Sequence, residues 1–226
     1  MIEILNDILL SENVCEKFYI WYEKPDFRAW LLNVLPEVEA CRNLKQDNPW
    51  HIYNCLDHIL HSVEEINKLS VSFDQKTRKT LAYTMFLHDI GKPDCKIRRF
   101  SKLYNREVDS FFKHNLLGVK IAERVLRVFG FDEKSCEIIK KLIEMHDIFM
   151  FISLEPDGNP YHKVLTQELI REEVEKLNLY GDGKELFKML LLVGKADNLA
   201  QNPQMTQNSL IMIDKIGELF DKSMEL

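Results

Sequence analysis

The sequence predicts an all-α protein, and three observations support this fold class. Apolar residues recur at three- and four-residue spacing in several long segments, as they do on one face of a helix. The strict alternation of apolar and polar residues that is typical of half-buried strands is scarce. The 226 residues include only eight glycines and seven prolines, and most stand where they would end helices.

Individual helices are predicted from this periodicity and from the residues at its ends. The periodic segments are 116–131, 136–149, 166–183, 184–201 and 208–222. Thr166 is a suitable N-cap for the third of these segments, and we expect that helix to end at Gly181 and Gly183. Gly130 is a suitable C-terminal cap for the first. Segments 93–113 and 153–163 are predicted to be long loops.

The clearest boundary in the chain is the polar segment 41–50, which is closed by Pro49. We therefore expect an N-terminal helical extension, residues 1–45, packed on a main domain formed by residues 46–226. A hydrophobic content of 46% is ample for a sizeable core.

Composition restricts the classes of partner. The net charge is −6, which favours small substrates over an extended nucleic-acid surface or an acidic membrane. The five cysteines are far apart, odd in number and without a CxxC pair, so we expect free thiols in a reducing compartment. No stretch of eighteen uncharged apolar residues occurs, and the start lacks the features of a secretory signal. These observations predict a cytoplasmic protein that does not enter the membrane.

The segment LAYTMFLHDIGKPD, residues 81–94, is apolar until it reaches His88 and Asp89. Both groups are costly to bury unless something binds them. Asp197 is a second carboxylate within a segment that is predicted to be a buried helix. Imidazole and carboxylate together are the usual ligands of first-row metals, so we expect a metal site here. Asp197 taken alone could equally be a helix-interior residue that is bonded to neighbouring backbone.

These residues, taken in order, resemble the pattern of the HD superfamily of metal-dependent phosphohydrolases. That pattern is a His, then His-Asp, then a distant Asp, with two further histidines in its two-metal members. The order and context agree from about residue 50 to 205. The matching positions are His58, His88, Asp89, His114, His146 and Asp197. The resemblance implies an HD-type helical bundle.

More narrowly, the sequence is similar to the HD domain attached to some bacterial tRNA nucleotidyltransferases. No glycine-rich segment with paired acidic residues precedes the HD part, so we expect a stand-alone HD protein. In the similar domains, glycine precedes and glutamate follows the position of His114, whereas this chain has Lys113 and Asn115.

The resemblance implies a role for each matching residue. His58, His88, Asp89 and Asp197 would hold a first ion, and Asp89 would bridge to a second ion held by His114 and His146. His61 lies three residues after His58 and could compete for its role, although the family's register favours His58. Asp147 could orient His146 by accepting a hydrogen bond.

Further residues are predicted to act on the substrate. Lys92 resembles the lysine of the family's HDxxK motif and would contact phosphate, with a solvated lysine at a helix end as the alternative. Asp89 and Lys92 are thus the candidate catalytic residues. His51, Arg98 and Arg99 are the candidate substrate-binding residues. His51 resembles a histidine that lies near the substrate in the similar domains, with a capping or packing role as the alternative. The two arginines lie in a locally basic segment that would attract an anionic substrate, with solvated surface as the alternative.

The implied activity is hydrolysis of phosphate monoesters or cyclic or linear diesters by a metal-activated water. We expect the substrate to be a nucleotide or another small phosphorylated metabolite. One or two divalent ions are implied, and the ligand types do not distinguish Mn, Fe, Ni, Co, Zn and Mg. Two alternatives stay open, namely a non-catalytic module that senses a nucleotide or keeps a metal for stability, and a di-iron oxygenase. The oligomeric state is also open.

Overall fold

The computed structural model describes residues 1–224, and it confirms the all-α fold class. The N-terminal part contains four helices that precede the segment 44–54. They are α1 (Ile2–Leu9), α2 (Val14–Tyr22), α3 (Pro25–Val34) and α4 (Glu37–Asn43). Helix α3 has proline at its first position, where the missing N–H is not needed.

The rest of the chain consists mainly of longer helices, with two very small sheets. The elements are α5 (Cys55–Leu69), α6 (Gln75–Leu87), α7 (Lys92–Cys95), β1 (Ile97–Ser101), β2 (Arg106–Ser110), α8 (His114–Val125), α9 (Glu133–Met145), a 3-10 turn (Ile148–Phe151), β3 (Ile152–Ser153), β4 (Lys163–Val164), α10 (Gln167–Leu177), α11 (Gly183–Leu199) and α12 (Pro203–Met224). Among residues 1–224, no helix is long and apolar enough to cross a membrane.

Segment 93–113 is not the loop that was predicted. It contains most of α7 and an antiparallel hairpin in which Ile97 pairs with Ser110 and Ser101 with Arg106. The hairpin is mostly exposed, so the apolar pattern that identifies a buried strand is absent from its sequence. Segment 153–163 is largely irregular, as expected, and connects the short parallel strands β3 and β4.

Two of the predicted caps lie at helix ends. The hydroxyl of Thr166 accepts a hydrogen bond from Leu169 N at 3.1 Å, which confirms it as the N-cap of α10. Gly130 has φ +82° and lies in the turn that ends α8, where Phe131 N donates to Leu126 O at 3.1 Å. The predicted end of α10 was wrong, since that helix stops at Leu177.

Gly183 instead begins α11, for a steric reason. An added Cβ there would lie 2.3 Å from Val174 O, so only glycine lets the two helices approach this closely. The carboxylate of Asp182 accepts hydrogen bonds from Lys184 N and Glu185 N and so caps α11.

The apolar core is continuous and extends across the N-terminal helices and the later ones. Helices α5, α6 and α11 pack against one another, while α9 packs on α6 and α11, and α8 packs on α9. Helices α1, α2 and α4 pack on α5 and α6. The division into an N-terminal extension, residues 1–45, and a main domain stays a prediction. The functional consequence is that α5, α6, α8, α9 and α11 bring their polar residues to one buried place.

Candidate metal centre

Five helices each contribute to one buried polar centre. His58 lies in α5 and Asp197 in α11, both inside their helices. His88 and His146 follow the last residues of α6 and α9, and His114 is the first residue of α8. Helix ends place these side chains where the backbone turns away, which leaves room for a ligand between them.

Glycines allow the helix ends to approach closely. A Cβ added to Gly91 would lie 2.4 Å from His114 O and 2.8 Å from Gly118 N, both of them backbone atoms. Gly118 in α8 lies in turn against the carbonyls of Leu87 and His88, where an added Cβ would be 3.4 Å from each oxygen. The start of α8 can therefore reach the turn that carries His88 and Asp89.

The first cluster consists of His58, His88, Asp89 and Asp197. His58 Nε2 lies 3.0 Å from Asp197 Oδ1 and 3.1 Å from Asp89 Oδ2. His88 Nε2 lies 3.4 Å from Asp89 Oδ2 and 3.5 Å from Asp197 Oδ1. Gln201 Nε2 donates to Asp197 Oδ1 at 3.1 Å and helps to orient that carboxylate. The four ligand atoms thus surround one small volume.

The second cluster consists of Asp89, His114 and His146. His114 Nε2 lies 3.1 Å from Asp89 Oδ1 and 3.1 Å from His146 Nε2. His146 Nε2 is 3.9 Å from Asp89 Oδ1. Asp89 therefore belongs to both clusters and presents a different oxygen to each. The side chains of consecutive helix residues point about 100° apart. His88 and Asp89 follow the last residue of α6, and the turn there brings both side chains to the same volume.

All four histidines direct Nε2 into the centre and Nδ1 toward the backbone. The Nδ1 atoms lie 2.6 to 3.2 Å from carbonyl oxygens of four different residues. These acceptors are Ala200 for His58, Met85 for His88, Phe111 for His114 and Ile143 for His146. A carbonyl can only accept, so each Nδ1 carries a proton, and in the neutral ring the Nε2 lone pair points into the centre, where it can bind an ion.

The residues fit a divalent cation. Asp89 Oδ2 is buried and lies 3.1 Å from His58 Nε2 and 3.4 Å from His88 Nε2. The Nε2 atoms of His58 and His88 are 3.3 Å apart, and two lone pairs at that distance repel each other unless a cation or proton lies between. The donor set of imidazoles and carboxylates is the set that first-row divalent metals accept.

The electrostatics of the centre also favour positive charge. Burial acts to raise the pKa of Asp89, but His88 and Lys92 hold it well below its usual range. Burial acts to lower the pKa of His88, but Asp89 and Asp197 outweigh it and raise this pKa to about 10. The carboxylates thus stay ionised, and protons on imidazole supply the balancing charge when no ion is bound.

Lys92 is not the solvated lysine of the alternative interpretation. Its side chain is 6% exposed, and its Nζ lies 2.5 Å from Asp89 Oδ2. Nζ also contacts Gln46 Oε1 at 3.0 Å and His51 Nε2 at 3.2 Å. Gln46 was missed by the sequence analysis, because nothing in a polar inter-helix segment distinguishes a buried glutamine from a solvated one.

His51 lies beside the first cluster, with its ring centroid 5.0 Å from that of His58. Burial and the charge of Lys92 hold the pKa of His51 well below its usual value, so the ring is neutral and Nε2 accepts from Lys92. Within the described part of the chain, His51 Nδ1 is buried and has no hydrogen-bond partner. Its N–H is thus available to a bound molecule.

The basic segment is largely neutralised by acidic residues. Arg98 on β1 pairs with Asp47 Oδ2 at 2.7 Å and with Asp109 Oδ1 at 3.2 Å. Arg106 also pairs with Asp47, at 2.8 Å. Arg99 is exposed on the same strand as Arg98. The substrate-binding role of Arg98 and Arg99 stays a prediction, and the ion pairs of Arg98 give it a structural function in the hairpin.

Two further residues lie differently from the expectations. His61 does not face the centre, since its Nδ1 is 3.1 Å from Glu64 Oε2 and 3.4 Å from Cys15 Sγ. The acceptor that orients His146 is the carbonyl of Ile143 rather than the carboxylate of Asp147. Asp147 instead lines a neighbouring cavity.

That cavity of about 180 Å³ opens beside His146 and Asp197. Its lining combines apolar side chains with amides and a hydroxyl. In addition to His146, Asp147 and Asp197, the cavity is lined by Phe149, Met150, Ile152, Gly194, Asn198, Asn208, Ser209, Met212 and Ile213. The sequence offered no signal for this cavity, because its walls come from the 3-10 turn, α11 and α12.

Residues 51–201 match the HD domain family, and this range contains every member of the two clusters. The chain belongs to the HD domain family. Most members of this family are metal-dependent phosphohydrolases, and HD domains bind divalent metals. The resemblance inferred from the order of the histidines and aspartates is thereby confirmed at the level of the superfamily.

This HD domain is also similar to a bifunctional uridylyltransferase/uridylyl-removing enzyme from Cereibacter sphaeroides. The two sequences are 24% identical over 140 residues, which is 56% of this chain and 13% of that enzyme. The chain therefore spans a small part of the length of this relative. The narrower resemblance to the HD domain of tRNA nucleotidyltransferases stays a prediction.

The departure from the similar domains before His114 has a conformational consequence. Lys113 has φ +65° and ψ +19°, which is the left-handed region that glycine adopts without strain. Asn115 donates from Nδ2 to Glu144 O at 2.7 Å and so joins α8 to the end of α9. This HD domain thus keeps His114 and His146 together with a lysine at a position that favours glycine.

Proposed function

We propose that this HD domain is a metal-dependent phosphohydrolase that acts on small phosphate esters. The observation that carries the proposal is the double role of Asp89, whose Oδ2 faces His58 and His88 while its Oδ1 faces His114 and His146. A carboxylate shared between two ligand clusters suits a pair of divalent ions. Such ions, when bound, lower the pKa of coordinated water toward ~7 and stabilise charge on phosphoryl oxygens.

The chain's own residues would prepare the site in defined ways. The four carbonyls that accept from the Nδ1 atoms hold the imidazoles in the orientation that an ion requires. Lys92 balances the charge of Asp89 and would contact an anionic group bound at the centre. The free N–H of His51 would donate to a phosphoryl oxygen.

The substrate we propose is a phosphate monoester or a cyclic or linear diester of a nucleotide or a similarly small metabolite. A cavity of about 180 Å³ beside His146 and Asp197 is smaller than the usual ligand pocket, which favours a substrate that is small or that enters the cavity only in part. Its apolar surfaces at Phe149 and Met212 would contact a ring, and the amides of Asn198 and Asn208 would donate and accept hydrogen bonds. The name of the relative includes the removal of uridylyl groups, so a uridylyl ester is one candidate to test.

The test is turnover of a panel of phosphoesters by the metal-loaded protein. The panel contains a generic aryl phosphate, nucleoside monophosphates, a cyclic nucleotide and a uridylyl ester, with Mn, Co, Ni, Zn, Fe or Mg added and a chelated sample beside each. We expect hydrolysis that needs metal and that disappears in Asp89→Asn together with the bound ions. The matched control is Asp94→Asn, an exposed aspartate five residues later.

Two results would contradict the proposal. Metal-loaded protein that turns over no phosphoester would favour a non-catalytic module that keeps its ion for stability or for sensing a nucleotide. Oxygen uptake by an iron-loaded sample, without phosphate release, would favour the oxygenase. Elemental analysis of the purified protein identifies the ion that the site selects.

A further inference from the structure

A separate cluster of possible metal ligands lies where α2 packs on α5. Cys15, in the first turn of α2, has its Sγ 3.4 Å from His61 Nδ1. His61 Nδ1 is also 3.1 Å from Glu64 Oε2. One thiol, one imidazole and one carboxylate therefore converge on a single place, and all three side chains are half-buried.

The separations match those of ligands around a tetrahedral ion. Zinc binds thiolate sulfur at about 2.3 Å and imidazole or carboxylate at about 2.0–2.2 Å, which puts neighbouring ligand atoms about 3.4–3.6 Å apart. The two observed separations, 3.4 and 3.1 Å, are within a few tenths of an ångström of these values. Only a small expansion of the cluster would admit the ion.

The ligands are held in place by their surroundings. His61 and Glu64 are three residues apart in α5 and so share a helix face, a spacing that helical metal proteins use for histidine with glutamate. Glu64 Oε1 accepts from Cys15 N at 2.9 Å, which fixes the carboxylate against the start of α2. The ring of Tyr53 packs on His61, with centroids 4.4 Å apart.

The charges around Cys15 favour a cation. The carboxylates of Glu64 and Asp57 place negative charge beside the Cys15 thiol. Asp57 is held nearby by hydrogen bonds from the Tyr19 hydroxyl and from Asn54 Nδ2. A divalent cation at this place would displace the thiol proton and neutralise the cluster.

We propose that Cys15, His61 and Glu64 form a zinc site that is separate from the HD centre. The thiolate, the imidazole and the carboxylate supply three tetrahedral positions, and the fourth is open to water. The thiol proton leaves when the ion binds. The ion connects α2 to α5 and so ties the N-terminal helices to the HD domain. The sulfur ligand distinguishes this site from the HD centre, whose clustered ligands carry only nitrogen and oxygen.

Cobalt is the probe that tests this site, because a thiolate bound to Co²⁺ absorbs in the near ultraviolet by charge transfer and imidazole or carboxylate ligands do not. We expect the full chain loaded with Co²⁺ to show this band and Cys15→Ser to lose it. Cys95→Ser is the matched control, since Cys95 is also half-buried but lies outside the cluster. It should keep the band.

Zinc content and thermal stability give a second measurement. In an Asp89→Asn background, which removes the ions of the HD centre, one zinc ion per chain should remain and should raise the unfolding temperature. Adding Cys15→Ser or Glu64→Gln to that background should abolish the stabilisation by zinc. The Glu64→Gln variant keeps the size of the side chain, so loss of the effect in a folded protein reports on the ligand.

Absence of the cobalt band in the wild-type chain, or its survival in Cys15→Ser, would overturn the proposal. Neither result depends on whether phosphoesters are hydrolysed. Likewise, a failed hydrolysis assay would leave the cobalt band unaffected, so the two proposals fail separately.

Discussion

His58 and His88 place their Nε2 atoms 3.3 Å apart inside the core, while the Nδ1 atom of each faces a backbone carbonyl. Both rings are fully buried. Two unprotonated Nε2 atoms cannot hydrogen-bond to each other, because each offers only a lone pair. A positive charge between them, from protons or from an ion, resolves the conflict. This relationship underlies the predictions that follow.

The two clusters should lose their ions independently. His114→Ala removes a ligand of the second cluster, so we expect elemental analysis to find one ion fewer per chain and hydrolysis to fall more than about 100-fold. His58→Ala should instead deplete the first cluster. His162→Ala, which changes a half-buried loop histidine paired with Asp157, is the control and should keep full metal content. Equal ion loss in His114→Ala and His162→Ala would contradict the assignment.

Lys92 should matter for turnover and not for metal retention. Lys92→Met removes the ammonium that lies 2.5 Å from Asp89 Oδ2, so the negative charge of that carboxylate is no longer balanced by Lys92. We therefore expect metal affinity to be kept or raised while kcat falls about 100-fold, as when one charge-stabilising group is removed from an active site. Lys102→Met, at an exposed lysine, should leave both unchanged. If Lys92→Met loses its metal, the lysine acts mainly by positioning Asp89.

Gly91 should be required for the approach of α8 to the metal-binding turn. Gly91→Ala would put a Cβ 2.4 Å from His114 O, and backbone on both sides cannot give way. We expect the free energy of unfolding to fall by about 1–3 kcal/mol and metal to be lost first from the cluster that contains His114. Gly181→Ala is the control, because its Cβ would make only an ordinary contact at 3.5 Å with Leu186. Unfolding in denaturant measures both variants.

Lys113 should cost stability because of its backbone conformation. Lys113→Gly relieves a left-handed residue at φ +65°, so we expect the free energy of unfolding to rise by about 1 kcal/mol. Asn105→Gly, at φ +47°, should gain less, since asparagine tolerates this region better than lysine. The denaturation midpoints of the two variants decide the matter. A destabilised Lys113→Gly would indicate that the lysine side chain makes a compensating contact.

Much of the fold could be predicted from local patterns. The spacing of apolar residues determines which face of each helix is buried, and this pattern is written in neighbouring residues. Thr166 as N-cap and Gly130 in the turn after α8 follow from the same local chemistry. The exposed hairpin formed by β1 and β2 could not be found in this way, because it has no buried face to produce alternation.

The sequence by itself determined the helical class, the HD pattern and the six side chains that could bind ions, because residue type and order along the chain carry that information. Only the tertiary structure decided that Asp89 turns one oxygen to each cluster and that Lys92 is buried against it. It also decided that His61 meets Cys15, forty-six residues away, rather than the HD centre. These relationships depend on how helices cross and where their ends meet, and contacts between distant residues leave no local pattern in the chain.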